Sequence, residues 1–165
     1  MDILQWALTT IVGVLGILAG RAWQKYDRNV QKDNEIYSKF LELLPHDNLL
    51  FFKEQDFGGP FRRMQIKPIN DFEQYCKRSD FLFIDSNLEK QRKDLLKNIS
   101  NFRELYVQEA FDFGAPVPDL VRVRYPEDSR IEGFDRESIV SRLNQLAEKV
   151  WNSYELLVKT ARRKL

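Results

Sequence analysis

The sequence predicts a mainly α protein in which an N-terminal transmembrane helix continues into a stalk, and the stalk packs with two long helices as a bundle. Three observations predict it. Ile3 to Gly20 carries no charged residue and is about as long as a helix needs to cross a bilayer. Two later segments keep a 3-4 apolar spacing over most of their length. The stretches between them are short, Phe-rich and punctuated by Gly and Pro. At 165 residues, one compact domain plus the apolar helix is the natural division: 3–20 a transmembrane helix, 21–44 a juxtamembrane stalk and 45–165 a cytosolic helical domain.

Several features of residues 3–20 agree with a membrane anchor. Trp6 and Trp23 stand near its ends, about 25 Å apart at helical rise, where indoles prefer the two interfaces. Asp2 and Gln5 have capping-box spacing, so the helix can begin at once. Arg21, Lys25, Arg28 and Lys32 follow the anchor, opposed by Asp27 and Asp33, while the other flank has no side-chain cation. The positive-inside rule then places the N-terminus outside and the C-terminal domain in the cytoplasm. A cleaved signal peptide fits less well, because a positive n-region is missing and the apolar run is long. A buried core helix would need a solvent-free slot that a chain this small hardly supplies. Gly13, Gly16 and Gly20 add a GxxxG spacing on one face. That face can admit a second helix closely, and it is equally the ordinary glycine content of a membrane helix.

The remaining elements follow in order. Trp23, Tyr26, Val30, Tyr37, Phe40 and Leu44 keep the helical spacing through the stalk, broken by Asp33, and Pro45 stops it. Asp47 or Asn48 can cap a short helix that Gly58, Gly59 and Pro60 end. FRRMQIKPI reads as a loop or helical turn, with Pro68 confining any strand to an edge. Asn70 with Glu73 can open a second short helix. Asp85 or Ser86 can cap a long helix reaching about Phe113, with Leu88, Leu95, Ile99, Phe102, Tyr106, Ala110 and Phe113 as its stripe. Gly114 and the AP-VP segment end it. LVRVRY alternates, with Val121, Val123 and Tyr125 on one side and Arg122 and Arg124 on the other, and is expected to form an extended link. The last helix starts near Asp135 or Arg136, with Ile139, Leu143, Leu146, Val150, Tyr154, Leu157 and Ala161 as the most regular stripe in the chain.

Chemistry is weakly signalled. Formal net charge is +1 with 31% charged residues, so bulk charge implies neither a nucleic-acid surface nor an acidic partner. Asp56-Phe57-Gly58 spells the kinase metal-binding tripeptide, but the Gly-rich loop, strand lysine and catalytic loop of that fold have no counterpart. His46 and Cys76 are the one histidine and the one cysteine, too few imidazole and thiolate donors for a metal cluster. A Cys-His nucleophilic pair would have to use both of them. Arg62, Arg63 and Lys67 form one basic group and Arg122 with Arg124 another. Either can take an anion or a partner's acidic patch through charge-assisted hydrogen bonds, or simply be the solvated side of a half-buried segment. Lys159, Arg162, Arg163 and Lys164 complement a helix C-terminus.

LLFFKEQDFGGPFRR, FLFIDSNLEKQRKDLL and RLNQLAEKVWNSYELLVKTARRKL, in that order and spacing, resemble a family of small bacterial proteins with one N-terminal membrane helix and a cytosolic helical domain, a family without a characterised activity. VRVRYPEDSRIEG departs from that pattern, and the resemblance carries no catalytic or binding residue to this chain. It implies a bacterial inner membrane as the location. With no nucleophile-base pair, metal cluster or phosphate loop in the sequence, the expectation is a non-enzymatic, cofactor-free protein. Its cytosolic domain would bind a partner or ligand, with the lipid bilayer and self-association through the anchor as further contacts. A membrane-perturbing effector of bacterial defence, acting through anchor oligomerisation, is the alternative.

Overall fold

The computed structural model describes residues 3–78, 81–112, 119–124 and 135–165, and for 3–19, 21–22 and 111–112 the backbone alone. The chain is mainly helical: α1 Ile3–Leu43, α2 His46–Glu54, β1 Phe61–Arg62, a 3-10 turn Arg63–Ile66, α3 Lys67–Cys76, α4 Ser86–Glu109, β2 Ala110–Asp112, β3 Leu120–Val123 and α5 Arg136–Lys164.

Helix boundaries follow from local chemistry. α1 runs unbroken to Leu43, where Pro45 stops it. Asp47 and Asn48 do not cap α2. Pro45 holds that position with φ −57°, and its carbonyl accepts from the Asn48 and Leu49 N–H groups. α3 likewise opens earlier than Asn70, because Pro68 sits in its first turn, where a missing N–H costs nothing. Its Glu73 is used elsewhere, accepting from Ser100 Oγ at 3.2 Å and pairing with Arg103 at 2.6 Å. Asp85 caps α4 through the Asn87 and Leu88 N–H groups. Asp135 caps α5 through Ser138 N–H.

α4 and α5 form an antiparallel pair, with Gln91 reaching Thr160 at 3.1 Å and Asn98 reaching Ser153 at 3.3 Å. Their expected stripes are the buried faces: Leu88, Leu95, Ile99, Phe102 and Tyr106 on α4, and Leu143, Val150, Tyr154, Leu157 and Ala161 on α5. The stalk differs from a full-length third rod. Phe40 stacks on Tyr154 and meets Phe72 edge-on, but residues 23–28 are exposed and contribute nothing to the core.

The LVRV segment is not a free link. β3 is the centre of a three-stranded antiparallel sheet in the order β1-β3-β2, with Phe61 opposite Val121, Arg62 opposite Leu120 and Ala110 opposite Val123. Pairing with β3 also explains why α4 ends at Glu109, short of Phe113: Ala110 takes extended backbone and joins the ladder. Phe113, Tyr125, the AP-VP segment, the remainder of the departing linker, and Asp2 with its capping box lie outside the described residues.

Among the described residues no helix is long and apolar enough to cross a membrane. The side chains of residues 3–19, on which the membrane-helix expectation rests, lie outside those described.

Candidate functional site

The sheet brings together the two basic groups that the sequence separates by some sixty residues. Phe61 and Val121 face each other and are buried, so the alternation of the strands puts Arg62 and Arg122 on the opposite face. The backbone of Arg63 donates to Asp119 O at 2.8 Å, and that of Arg124 to Glu109 O at 3.4 Å. Burial first, against the lowering influence of Arg63, pushes the Tyr106 hydroxyl pKa up. Lys67 is engaged within α3, in an ion pair with Asp71 at 2.5 Å. Arg62, Arg63, Arg122 and Arg124 therefore share one end of the body, and Lys67 does not join them.

A second constellation lies at the opposite end, where α1 leaves the body. Asp33, read in the sequence as a break in an apolar stripe, is 3% exposed and is a latch. Its two carboxylate oxygens accept from Ile84 N–H at 2.6 Å and Asp85 N–H at 2.8 Å. Next to it, Lys164 donates to Asp85 at 2.6 Å. That hydrogen bond, followed by the Leu88 and Asn87 N–H groups, holds the Asp85 carboxyl below its usual range. Deeper in, burial pushes Glu89 up, but the Arg92 guanidinium and the Phe83 N–H outweigh it and leave the carboxyl lowered. A cleft of about 490 Å³ opens here between Tyr26, Val30, Asp33, Ile84, Arg163 and Lys164. Phe81 and Phe83 point inward, while Leu82 and Ile84 are each 46% exposed. Sequence reasoning missed Asp33, Leu82 and Ile84. The available signals were an acid at a stripe position and the in-out alternation of FLFI next to a helix cap.

Of the residues expected to form or flank an anchor, Trp23 is 68% exposed and Gly20 has nothing within 4 Å of where a Cβ would stand. For Trp6, Gly13 and Gly16 only the helical backbone is described.

The structure does not join His46 to Cys76. His46 lies edge-on to Trp151 and 3.6 Å from Glu155 on α5. Cys76 lies on α3, where burial above all pushes its thiol up to about 11 despite the nearby Arg92. At neutral pH that sulfur is a thiol, which is the weak form of the nucleophile. Asp56 belongs to a turn: Asn144 Nδ2 and Gly58 N–H each donate to it at 2.9 Å, holding its carboxyl below the usual range. It lines a groove of about 810 Å³ between α2 and α5 with Lys53, Arg136, Asn144, Glu148 and Trp151. Among the described residues no group of three or more His, Cys, Asp or Glu side chains is placed to hold a metal ion.

Compared with family models, curated proteins and solved structures, the chain matches none.

Proposed function

We propose that the chain is a single-pass, membrane-anchored, non-enzymatic protein of the bacterial inner membrane, whose helical body lies in the cytoplasm and binds a partner or ligand. The observation that carries this reading is the continuity of α1. One helix runs from Ile3 to Leu43, its first part is free of charge, and its last turns are seated in the core through Phe40, with Leu44 buried just beyond its end. A rigid helix with an uncharged end and a docked end supports an anchor that fixes the body close to the bilayer. The test is alkaline extraction of membranes, followed by protease treatment of right-side-out and inverted vesicles. The expected result is retention in the membrane, with the body cleaved only in inverted vesicles. Release by alkali would overturn the anchor, and cleavage in right-side-out vesicles would overturn the orientation.

The openness around Gly20 favours a second reading. Anchors that meet through Gly16 and Gly20 would assemble in the membrane and perturb it as an effector. Gly16→Leu with Gly20→Leu should then abolish depolarisation measured by a voltage-sensitive dye. Unchanged depolarisation would sink that reading.

A further inference from the structure

Four of the seven exposed large hydrophobics among the described residues, Trp23, Tyr26, Leu82 and Ile84, fall at the end of the body from which α1 emerges. Cations converge on the same end. The emerging stalk supplies Lys25, Arg28 and Lys32, and the last turn of α5 supplies Arg162, Arg163 and Lys164. Of the acids on this side, Asp33 accepts two backbone N–H groups and Asp85 holds Lys164, while Asp27 and Glu35 are exposed on the stalk. An exposed apolar rim bordered by cations suits the boundary between headgroups and water, where aromatic and aliphatic groups enter the interface and cations meet anionic lipid.

We propose that this end of the body rests on an anionic bilayer surface, with Arg162, Arg163 and the stalk cations at the headgroups and Leu82 and Ile84 turned toward them. The inference depends on the anchor reading above, and the geometry of α1 supports it. From Gly20 to Asn29, which lines the cleft beside Arg163, is about 14 Å at helical rise. The headgroup layer takes up roughly 5–8 Å of that, and an anchor tilt of about 20° shortens it further. The remaining gap is comparable with the Debye length of about 8 Å at physiological salt. The body therefore sits within reach of the leaflet's negative potential.

The experiment uses the full chain in vesicles of mixed anionic and zwitterionic lipid, and in purely zwitterionic vesicles. A fluorophore is placed at Ile84→Cys or, as the far-end control, at Val107→Cys, in a Cys76→Ser background with Cys76→Ala as a second background. Val107 is exposed and lies about 32 Å along α4 from Ser86. Quenching by spin-labelled lipid should be at least about twofold stronger at residue 84 than at 107 in anionic vesicles. It should fall toward the control in zwitterionic vesicles, in high salt, and when Arg162→Gln and Arg163→Gln are combined. Flotation with the vesicles is scored first. Failure to float overturns the anchor and the contact with it. Flotation with equal quenching at both positions overturns the contact alone. Self-quenching at residue 84 that unlabelled protein relieves, without quenching by lipid, assigns the face to a second copy and also overturns it.

Discussion

The two ends of the body are held by different chemistry. At the sheet end, rings interlock: Phe102 meets Phe52 at 5.2 Å and Phe57 at 5.1 Å, and Phe57 meets Phe61 at 5.0 Å, with Phe102 and Phe57 fully buried. At the stalk end, where Phe81, Phe83 and Leu88 are buried as well, carboxylates add a second kind of tie, Asp33 onto backbone N–H groups and Asp85 onto Lys164, with Glu89 holding Arg92 within α4. Burial of these edge-to-face rings involves no titrating group and is therefore insensitive to pH. Hydrogen bonds to carboxylates fix one geometry and depend on charge. If α1 is the anchor proposed above, it has to leave the body at a defined angle, while the sheet end has only to stay folded.

The largest expected break is on the apolar side. Phe102→Ala should cost about 3–5 kcal/mol, since it removes a fully buried ring and leaves a cavity among aromatics. A fall in Tm on the order of 10 °C is the corresponding outcome. A fall of a degree or two would show that the rings are loosely packed. Next comes Glu89→Gln. Arg92 is 3% exposed and pairs with both Glu89 oxygens, at 2.8 and 2.7 Å. Loss of the charge strands a buried guanidinium, at a cost of about 3 kcal/mol. Denaturation of the variant, with faster amide exchange at Phe83, whose N–H donates to Glu89, checks it. An unchanged midpoint would mean that neutral partners suffice.

The apolar end was more legible in the sequence than the polar one. The stripes of α4 and α5 read directly, because burial repeats at helical spacing and each stripe residue carries its own signal. Asp85 and Asp135 read as caps because a cap acts within its own turn. Partnerships over long separations left no such mark. Asp33 and Ile84 are fifty-one residues apart, and nothing local distinguishes a latch from an interruption. LVRV alternates like a strand, yet its partners are the two-residue β1 and the three-residue β2, both too short to show a period. FRRMQIKPI reads as a loop or helical turn and forms a 3-10 turn, while Pro68, expected only to confine any strand to an edge, opens α3. Both readings satisfy its missing N–H, and only the packing of Ile69 and Phe72 into the core decides. The basic residues were legible as two local groups, Arg62, Arg63 and Lys67, and Arg122 with Arg124, and the meeting of their arginines at one end of the body was not, because it is the register of Arg62 against Leu120 that joins them.

Asp33→Ala tests the latch itself. It strips two N–H groups of their charged acceptor, and hydrogen bonds to charged groups contribute about 1.5–3 kcal/mol. A net loss of about 2 kcal/mol is expected, because water can reach the freed amides. Exchange at Ile84 and Asp85 should quicken while the β1–β3 pairs at the other end keep their protection. Equal loss of protection at both ends would mean that the ends are one cooperative unit, and that their difference in chemistry has no mechanical consequence.

Acid gives the smallest and most informative effect. Asp85 and Glu89 have carboxyls held below their ordinary values of 3.8 and 4.5, so the folded state binds their protons less readily than the unfolded chain. Their contribution to stability is complete above those ordinary values and is lost as pH falls through the lowered ones. Between pH 7 and pH 5 exchange protection at Phe83, Asn87 and Leu88 should be flat. Below about pH 4 it should decline, after correction for intrinsic rates. Asp56 is lowered as well, but by Asn144 and Gly58 at the surface, so at the sheet end acid should affect the Gly58 amide and leave the Phe61–Val121 pairing intact. A decline confined to the stalk end plus Gly58 would show that protonation loosens the α4 cap and its tie to Lys164 before the core opens. A decline shared by every amide would place the acid-sensitive step in the global transition instead.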